Sequence, residues 1–397
     1  MNERTFTKSS AFNIRTTRIS EVKDRVYNTK LNQIFKLSFS SKMNYFRKKM
    51  AVETLSANGK KLDGKVYTPK QKVQKIMGTL YKAIHQAVLR ATAIILNLVI
   101  VGWLSVYYTI EAAVSNLTPA SLRTLKSLGG RTVLVTGGAG GVGQELVIRL
   151  ARQKAKVVVW DVNEKAMSTL KDRVAAEGFK IYTYAVDVSD KQSIYKNAET
   201  VKEEVGPVDI LINNAGIVCG QTLLELPDYM IEKTYKVNTL SCYWTAKAFL
   251  PDMIKHGRGH IATVGSLTGL LGAYNCTDYS GSKYATIGFH ESLSTELKSL
   301  GYDKIGLTMV CPYFINTGMF DGCKPSIPML EPKGVAKRVI LAIRQNEEFC
   351  TIPSRFNYLL PLKHYLPNKL GWLLQFRVLR TPHAMKTMRK FNEVEAA

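Results

Sequence analysis

From residue 131 onward, short runs of β-branched and apolar residues alternate with segments long enough to form helices. Six runs have the composition of strands: RTVLVT, KAKVVVWD, KIYTYAVD, VDILINN, GHIATVGS and KIGLTMVC. Neighbouring parallel strands need crossover connections of helix length, so this alternation predicts a parallel sheet with helices on both faces. We therefore predict one doubly wound α/β domain of about seven strands over residues 131–352.

A second feature is the uncharged run ATAIILNLVIVGWLSVYYTI at residues 91–110. As a helix it would cover roughly 30 Å, about the thickness of the hydrocarbon core of a bilayer. Trp103, Tyr107 and Tyr108 suit the interfacial region of a membrane. We predict a membrane-anchor helix over residues 86–114. The alternative is a buried helix of a soluble domain; a secretory signal would lie nearer the N-terminus.

Positive charge is concentrated outside the predicted sheet domain. Residues 1–90 hold 20 Lys or Arg and 5 Asp or Glu, and residues 353–397 hold 8 and 2. After subtraction of these flanks and of the +1 at residues 111–130, only +2 of the net charge of +24 is left for residues 131–352. A nucleic-acid-binding domain would carry the charge in its folded core, so the pattern favours a catalytic body held at an anionic membrane surface. Solvated, partly disordered flanks are the alternative.

These features divide the chain into five parts. They are a basic, poorly ordered leader (1–85), the anchor (86–114), a linker (115–130), the sheet domain (131–352) and a basic amphipathic C-terminal extension (353–397). The first 70 residues also resemble a mitochondrial transit sequence in composition. The extension interleaves aromatic and basic residues, which suits an interfacial amphipathic helix, a cover over a cleft or a contact with a second subunit.

A glycine-rich turn joins the first predicted strand to a helical segment. Residues 136–143 read Thr-Gly-Gly-Ala-Gly-Gly-Val-Gly. Glycines allow a tight turn and close approach to a pyrophosphate, which backbone amides at the helix N-terminus would bind. Asp161, at the end of the second strand, can accept hydrogen bonds from both ribose hydroxyls of NAD and would repel the 2′-phosphate of NADP. Alternatively, Asp161 caps the next helix.

Polar residues also follow the third and fourth predicted strands. Asp187 is predicted to contact adenine, and the Asn-Asn-Ala-Gly run at residues 213–216 to line the cofactor cleft. Ordinary turn chemistry explains each of them equally well.

The third set of candidate residues is Ser266, Tyr279 and Lys283. Tyr and Lys four residues apart share one helix face, so the ammonium is expected to lower the pKa of the phenol from about 10 towards the working pH. Tyr279 would then act as a general acid or base, and Ser266 would hold the reacting oxygen. A lone Tyr-x-x-x-Lys is usually a surface pair. Here the serine thirteen residues upstream and the glycine-rich turn support a catalytic role for the pair.

Together these motifs resemble the short-chain dehydrogenase/reductase family. TGGAGGVG is similar to its TGxxxGxG, NNAG to its fourth-strand motif, and Ser266, Tyr279 and Lys283 to its catalytic triad. The resemblance implies a relay role for Asn238 and a nicotinamide-positioning role for residues 311–318, with Thr317 on the carboxamide. Gly-Ala-Gly at 138–140 departs from the family's common Ala-Gly-Ser, which should leave the turn usable.

The stretches WTAKAFLP, TGMFDGC and MLEP resemble a membrane-associated branch of that family, with retinol and 17-beta-hydroxysteroid dehydrogenases, and above all its epidermal retinol dehydrogenase 2 group. This implies a Rossmann-type fold, a lipophilic substrate and a homodimer. The residues themselves favour NAD over NADP through Asp161, no metal through the unpaired cysteine spacing, and no nucleic acid through the charge distribution. The implied cofactor-binding residues are Thr136, Gly137, Gly141, Val142, Gly143, Asp161, Asp187, Val188, Asn214, Ala215, Gly216, Tyr279, Lys283, Pro312, Ile315 and Thr317.

The resemblance implies interconversion of an alcohol and a carbonyl, with all-trans-retinol and retinal as the leading pair. The alternatives are a 17-beta-hydroxysteroid or another lipid alcohol and, in a different class, a non-catalytic membrane or lipid-droplet scaffold. Predicted pocket residues, with core packing as the alternative role, are Leu267, Tyr274, Tyr313 and Phe314.

Membrane topology is predicted from two opposing signals. The basic leader would keep the N-terminus cytosolic and, if the anchor spans, place the domain on the other side. Six cysteines without paired spacing and a glycosylation sequon at residues 275–277 beside Tyr279 argue against that placement. We therefore expect a cytosol-facing domain at the endoplasmic reticulum membrane or lipid droplet, with the anchor re-entrant or lying in one leaflet.

Overall fold

The computed structural model describes residues 68–117, 125–378 and 380–388. The predictions for residues 1–67, a poorly ordered leader or a transit composition, lie outside the described residues. The chain forms two compact units, Met1–Ser121 and Leu122–Ala397. The second unit therefore contains both the sheet domain and the C-terminal extension.

In the first unit, the structure describes residues 68–117, which form a long helix, α1 (Pro69–Leu117). It begins at a reciprocal cap, in which the backbone N–H of Thr68 donates to Gln71 Oε1 at 3.0 Å and the N–H of Gln71 donates to Thr68 Oγ1 at 3.4 Å. Pro69 then occupies the first helical position, where its missing N–H costs nothing. The helix therefore starts 17 residues before the predicted 86.

The apolar run of α1 is exposed, which contradicts the alternative of a buried core helix. By length and composition, α1 contains a stretch able to cross a membrane. The helix is unbroken from Pro69 to Leu117. A re-entrant anchor or one lying in a single leaflet stays a prediction.

The second unit is built on a parallel sheet of seven strands in the order β3-β2-β1-β4-β5-β6-β7. The strands are β1 (Thr132–Thr136), β2 (Lys156–Asp161), β3 (Ile181–Ala185), β4 (Ile210–Asn213), β5 (Gly259–Val264), β6 (Ile305–Pro312) and β7 (Phe349–Ile352). All six predicted runs are strands, and β7 completes the predicted seven.

Helices cover both faces of this sheet. They are α2 (Gly141–Arg152), α3 (Glu164–Ala176), α4 (Lys191–Glu204), α5 (Asp228–Tyr235), α6 (Ser241–Lys255), α7 (Thr277–Ser299) and α8 (Pro332–Gln345). A π-helical turn, Lys236–Leu240, joins α5 to α6. The predicted doubly wound fold is confirmed.

The two cores follow from the period of two along the central strand. Val133 and Val135 pack in one hydrophobic cluster with Leu146 of α2, whereas Leu134 packs in the other with Phe249 of α6. All five residues of β1 are buried, which is typical of a parallel strand covered on both faces. The order reverses between β1 and β4, so the crevice at their carboxyl ends is where a ligand binds in such sheets.

The C-terminal extension begins with short helical pieces rather than one amphipathic helix. They are α9 (Phe356–Leu359), a 3₁₀ turn (Pro361–His364), α10 (Asn368–Leu373), a π-helical turn (Leu374–Val378) and α11 (Thr381–Met385). Pro361 and Pro367 prevent one continuous helix, because proline lacks the backbone N–H that would continue the helical hydrogen bonding. The prediction of one amphipathic helix is therefore wrong for the described part of the extension.

Candidate active site

The glycine-rich turn after β1 depends on glycine at particular positions. Gly137 and Gly141 have φ angles of +60° and +42°, a region that side chains disfavour. A Cβ on Gly143 would collide with the carbonyl oxygen of Gly137 and lie 2.8 Å from Gly138 Cα. A Cβ on Gly140 would meet nothing within 4 Å, so the turn is open on that side.

The Asn-Asn-Ala-Gly run after β4 holds this turn in place. Asn214 Nδ2 donates to the carbonyls of Thr136 and Gly137 at 3.1 and 3.0 Å. In return, Thr136 Oγ1 accepts from the backbone N–H groups of Asn214 and Ala215 at 3.0 and 3.1 Å. Val142, also predicted at the turn, is buried in the first turn of α2. The structure therefore brings these predicted cofactor residues together.

Asp161 lies at the end of β2, beside the turn. Its carboxylate accepts from the backbone N–H of Ala139 at 2.9 Å and from that of Asn163 at 3.0 Å. The N-cap of α3 is Asn163, whose side chain accepts from the N–H of Ala166, so the capping alternative for Asp161 is wrong. The carboxylate is only partly buried and remains open to a further donor.

Asp187 lies two residues beyond β3 and is exposed. Its carboxylate accepts from the N–H of Ser189 at 2.8 Å, a local turn contact, while the neighbouring Val188 is buried. Asp190 is the residue that caps α4. The predicted adenine contact of Asp187 stays a prediction.

Ser266, Tyr279 and Lys283 are brought together beneath the carboxyl end of β5, and all three are buried. Ser266 Oγ accepts from the backbone N–H and the hydroxyl of Thr268 at 3.1 and 2.9 Å, and its interaction with the Tyr279 hydroxyl lowers the pKa of Tyr279. Lys283 Nζ lies 5.6 Å from the centroid of the Tyr279 ring and donates to the carbonyl of Val264 at 3.1 Å. The alternative of a surface pair is therefore wrong.

The pKa of Tyr279 departs from the expected direction. Burial raises the pKa of Tyr279, the hydrogen bond with Ser266 lowers it, and the thiols of Cys276 and Cys311 raise it. Burial also lowers the pKa of Lys283, whose ammonium is directed at a backbone carbonyl rather than at the phenol oxygen. We expected Lys283 to lower the pKa of the Tyr279 phenol. The pKa is raised instead, because burial removes water from the phenolate and this effect outweighs the others.

Asn238 lies in the π-helical turn between α5 and α6 and is buried. Its Oδ1 accepts from the N–H of Ile217 at 2.8 Å, and its Nδ2 donates to the carbonyl of Ile217 at 2.9 Å and to Ser282 Oγ at 3.0 Å. A Cβ on Gly216 would lie 3.3 Å from Asn238 Oδ1 and 3.5 Å from Lys283 Nζ. The π-helical turn, a common device at functional sites, thus directs Asn238 to the same point as Lys283.

The segment after β6 reaches the glycine turn. A Cβ built on Gly141 would lie 3.0 Å from Thr317 Cγ2, so Thr317 borders the turn. Pro312 ends β6, and Ile315 is buried and bridges Leu330. The predicted residues of this segment therefore lie on the same side of the sheet as the turn.

An apolar cleft opens at Ser266. Of the four predicted pocket residues, Leu267, Tyr313 and Phe314 line the cleft, whereas Tyr274 is not among its lining residues and is 40% exposed. Sequence reasoning missed Phe320, Phe356 and Leu360, which line it as well. Phe356 and Leu360 belong to the C-terminal extension, so the option that the extension covers the cleft is confirmed.

All six cysteines are buried and free. Burial raises the pKa of Cys219 and Cys242 to about 11, so these thiols are protonated and unreactive at neutral pH. The expected lack of disulfides is confirmed.

This arrangement can deliver a proton to an oxygen in an apolar cleft. Two buried hydroxyl groups, those of Ser266 and Tyr279, are available for proton transfer, and the free amides at the N-terminus of α2 favour a bound anion. The family model for short chain dehydrogenases matches residues 131–326.

Curated relatives match a larger part of the chain. The chain is 39% identical over 269 residues to short-chain dehydrogenase/reductase family 16C member 6 of Bos taurus, covering 66% of this chain and 84% of the relative. It is 39% identical over 275 residues to epidermal retinol dehydrogenase 2 of Homo sapiens (68% and 88%) and 39% identical over 268 residues to retinol dehydrogenase 10-B of Danio rerio (61% and 80%).

Solved structures share the fold. A short-chain dehydrogenase/reductase from Burkholderia phymatum in complex with NAD matches with a TM-score of 0.57 and 23% identity, covering 62% of this chain and 97% of that one. A short-chain dehydrogenase from Novosphingobium aromaticivorans matches with a TM-score of 0.54 and 26% identity, covering 67% and 100%.

Proposed function

Because the chain belongs to the short-chain dehydrogenase/reductase family and is an alcohol/carbonyl oxidoreductase, we propose that its substrate is a lipid alcohol, with all-trans-retinol and retinal as the leading pair. The observation that carries this proposal is the buried set of Ser266, Tyr279 and Lys283, with Ser266 lining the apolar cleft. The retinol dehydrogenases among its relatives support the choice of retinol. A 17-beta-hydroxysteroid is the alternative substrate.

We propose NAD as the cofactor, which supplies the hydride acceptor or donor. The open side of the turn at Gly140 leaves room for a pyrophosphate beside the amides of α2. Asp161 would hold the ribose next to adenine, Lys283 the ribose next to nicotinamide, and Thr317 the carboxamide. Asp187 and Val188 would contact adenine, and Pro312 and Ile315 would border the nicotinamide.

In reduction, Tyr279 donates its hydroxyl proton to the carbonyl oxygen, and in oxidation it accepts the proton of the alcohol. Ser266 hydrogen-bonds the same oxygen and fixes its position. The raised pKa of Tyr279 keeps the phenol protonated at neutral pH, which suits reduction. Asn238 holds the segment at Ile217 and completes the proposed proton relay.

Ser266→Ala should move the pH dependence of alcohol oxidation. Oxidation needs the phenolate, so kcat/KM rises as pH increases towards the pKa of Tyr279. The Ser266 hydrogen bond lowers that pKa, and its loss raises the pKa and moves the rise to higher pH. Initial rates over an alkaline pH series measure this, with Ser266→Thr as the variant that keeps a hydroxyl. A profile that stays in place or moves to lower pH would refute the role of Ser266.

Asp161→Asn should lower the preference for NAD over NADP by about tenfold or more. The substitution removes the repulsion between the carboxylate and a 2′-phosphate and weakens the ribose contact. The ratio of kcat/KM values for the two cofactors measures it. Asp187→Asn is the matched control, because an adenine contact serves both cofactors equally. An unchanged ratio in Asp161→Asn would show that the carboxylate only supports the turn through Ala139.

We further propose that the protein works as a homodimer at the endoplasmic reticulum membrane or lipid droplet, with the catalytic domain in the cytosol. The six buried, unpaired cysteines support a reducing compartment. External protease should digest the domain in intact microsomes. A protected domain that endoglycosidase trims would contradict this topology.

The substrate class is tested with a panel of retinol, steroid and fatty alcohols. Full-length protein in phospholipid vesicles is incubated with each alcohol and NAD or NADP, and the reduced cofactor is followed by its absorbance. We expect retinol with NAD to give the highest kcat/KM. If no alcohol in the panel is oxidised and no matching carbonyl is reduced, the proposed function fails.

A further inference from the structure

The C-terminal strap, which we define as residues 353–378 and 380–388, forms part of the wall of the apolar cleft. Phe356 is buried there and stacks on Tyr313 with ring centroids 5.9 Å apart. Leu360, half-buried one turn later, lines the cleft beside it. A substrate in the cleft would therefore touch the strap directly.

Two side chains fasten the strap to the loop between Ser266 and Tyr279. Lys363 Nζ donates to the carbonyl of Leu270 and to Tyr284 Oη, the latter at 2.7 Å. Gln375 Nε2 donates to the carbonyl of Gly272 at 2.8 Å. The position of the strap is thus fixed relative to the catalytic hydroxyls.

The outer surface of the strap is apolar. Nine of the 20 exposed large hydrophobic side chains described in the second unit fall within 19 consecutive residues, which marks this segment as a patch. They are Tyr358, Leu359, Leu362, Tyr365, Leu370, Trp372, Leu373, Leu374 and Phe376. Leu359 and Leu362 flank Leu360, so the patch begins beside the wall of the cleft.

The strap and the residues around it contain basic residues but no acidic ones. Residues 349–392 contain eight Lys or Arg and no Asp or Glu. Apolar and aromatic side chains interleaved with cations bind the interface of an anionic phospholipid membrane, because the apolar groups enter the acyl boundary while the cations meet the headgroups. A protein partner would need acidic groups to pair with these Lys and Arg residues. Without any partner, the apolar side chains of the patch would remain exposed to water.

We propose that the strap docks on an anionic phospholipid bilayer and holds the mouth of the cleft against the lipid, so that the substrate alcohol passes from the membrane to Ser266 and Tyr279 without crossing water. This inference rests on the proposed function for the identity of the substrate. Its membrane contact stands on the exposure and charge of the strap. Phe356 and Leu360 then form the inner end of the path, and Leu359 and Leu362 its membrane end.

The direct test is quenching of Trp372 fluorescence by brominated phospholipid. Full-length protein carrying Trp103→Phe is reconstituted into vesicles with and without phosphatidylserine; Trp160 is buried and Trp244 half-buried, which leaves Trp372 as the exposed tryptophan. We expect strong quenching in anionic vesicles, reduced in neutral vesicles and at high salt, because salt screens the attraction. Absence of quenching in anionic vesicles would overturn the proposal.

The kinetic test compares two matched leucines. Leu373 in the strap and Leu300 at the end of α7 are 54% and 67% exposed, and each is replaced with glutamate. For an alcohol dissolved in the vesicles, Leu373→Glu should lower kcat/KM about tenfold, because its side chain no longer enters the lipid, whereas Leu300→Glu should not. For a short water-soluble alcohol, neither variant should change kcat/KM.

An equal loss on both alcohols would mean that the strap shapes the site rather than docks, and would overturn the proposal. An unchanged rate on the vesicle-dissolved alcohol would overturn it as well. If wild-type protein oxidises neither alcohol, the proposed function fails, and the quenching of Trp372 still decides the membrane contact.

Discussion

Tyr279→Phe is expected to lower kcat for alcohol oxidation and carbonyl reduction about 10²–10⁴-fold, the usual contribution of a positioned general acid or base. The substitution removes one oxygen from a buried ring that packs edge-on against Phe320, so the packing remains. Binding of NAD should persist, because the turn at residues 136–143 is untouched. Initial rates in both directions and a cofactor titration measure the two effects.

Tyr274→Phe is the matched control for this prediction. Tyr274 lies five residues upstream, is exposed and is not among the lining residues of the cleft, so its kcat should match that of the wild type. A Tyr279→Phe variant that keeps its full cellular role would instead support the non-catalytic scaffold. A variant that keeps wild-type kcat in both directions would contradict Tyr279 as the acid or base.

Gly143→Ala should abolish useful cofactor binding, with an affinity for NAD at least about a hundredfold weaker. Its Cβ would collide with the carbonyl of Gly137, so the turn must shift, and the loss of even two charge-assisted amide contacts to a pyrophosphate accounts for that factor. Overpacking of this kind also destabilises the fold by about 1–3 kcal/mol. Cofactor titration and chemical denaturation measure the two effects.

Gly140→Ala tests the same turn without the collision. A Cβ at Gly140 meets no protein atom within 4 Å and its φ is not positive, so the stability of the fold should stay close to that of the wild type. This also agrees with the expectation that Gly-Ala-Gly in place of Ala-Gly-Ser leaves the turn usable. Equal losses of stability in Gly140→Ala and Gly143→Ala would show that the turn responds to any added methyl group rather than to the contact with Gly137.

The sheet was predictable from the sequence because a parallel strand buried on both faces carries a continuous apolar run. Val133, Leu134 and Val135 illustrate this, since neighbouring residues face different clusters and both faces are covered. The carboxyl ends of such strands meet at one edge, which is why Thr136, Asp161 and Ser266 could be assigned to one crevice before their contacts were known.

Features set by tertiary contacts were less predictable. The direction of the pKa shift of Tyr279 depends on how completely the ring is buried, which a spacing of four residues does not reveal. The contribution of Phe356 and Leu360 to the cleft depends on where the chain turns at Pro361. The apolar residues of the C-terminal extension indicate that the extension packs against another surface, but the sequence does not show which surface that is.

The start of α1 was predictable and was missed. Thr68, Pro69 and Gln71 form a capping box with proline at the first helical position, a local signal that needs no tertiary information. The uncharged run drew the predicted boundary to residue 86 instead. Asp161 is the opposite case, in which a local signal was misleading. Aspartate is a common N-cap residue, but Asn163, two residues later, caps α3.

The central claim is that Tyr279, buried together with Ser266, exchanges a proton with a lipid alcohol while a carbinol hydrogen moves as hydride to a nicotinamide. The most direct measurement uses retinol with both carbinol hydrogens replaced by deuterium, full-length protein in anionic vesicles and NAD, with mass analysis of the reduced cofactor. We predict that the deuterium appears in the cofactor with wild-type protein and does not appear with Tyr279→Phe over the same period. Retinal formation without deuterium in the cofactor, or equal transfer by Tyr279→Phe, would contradict the account.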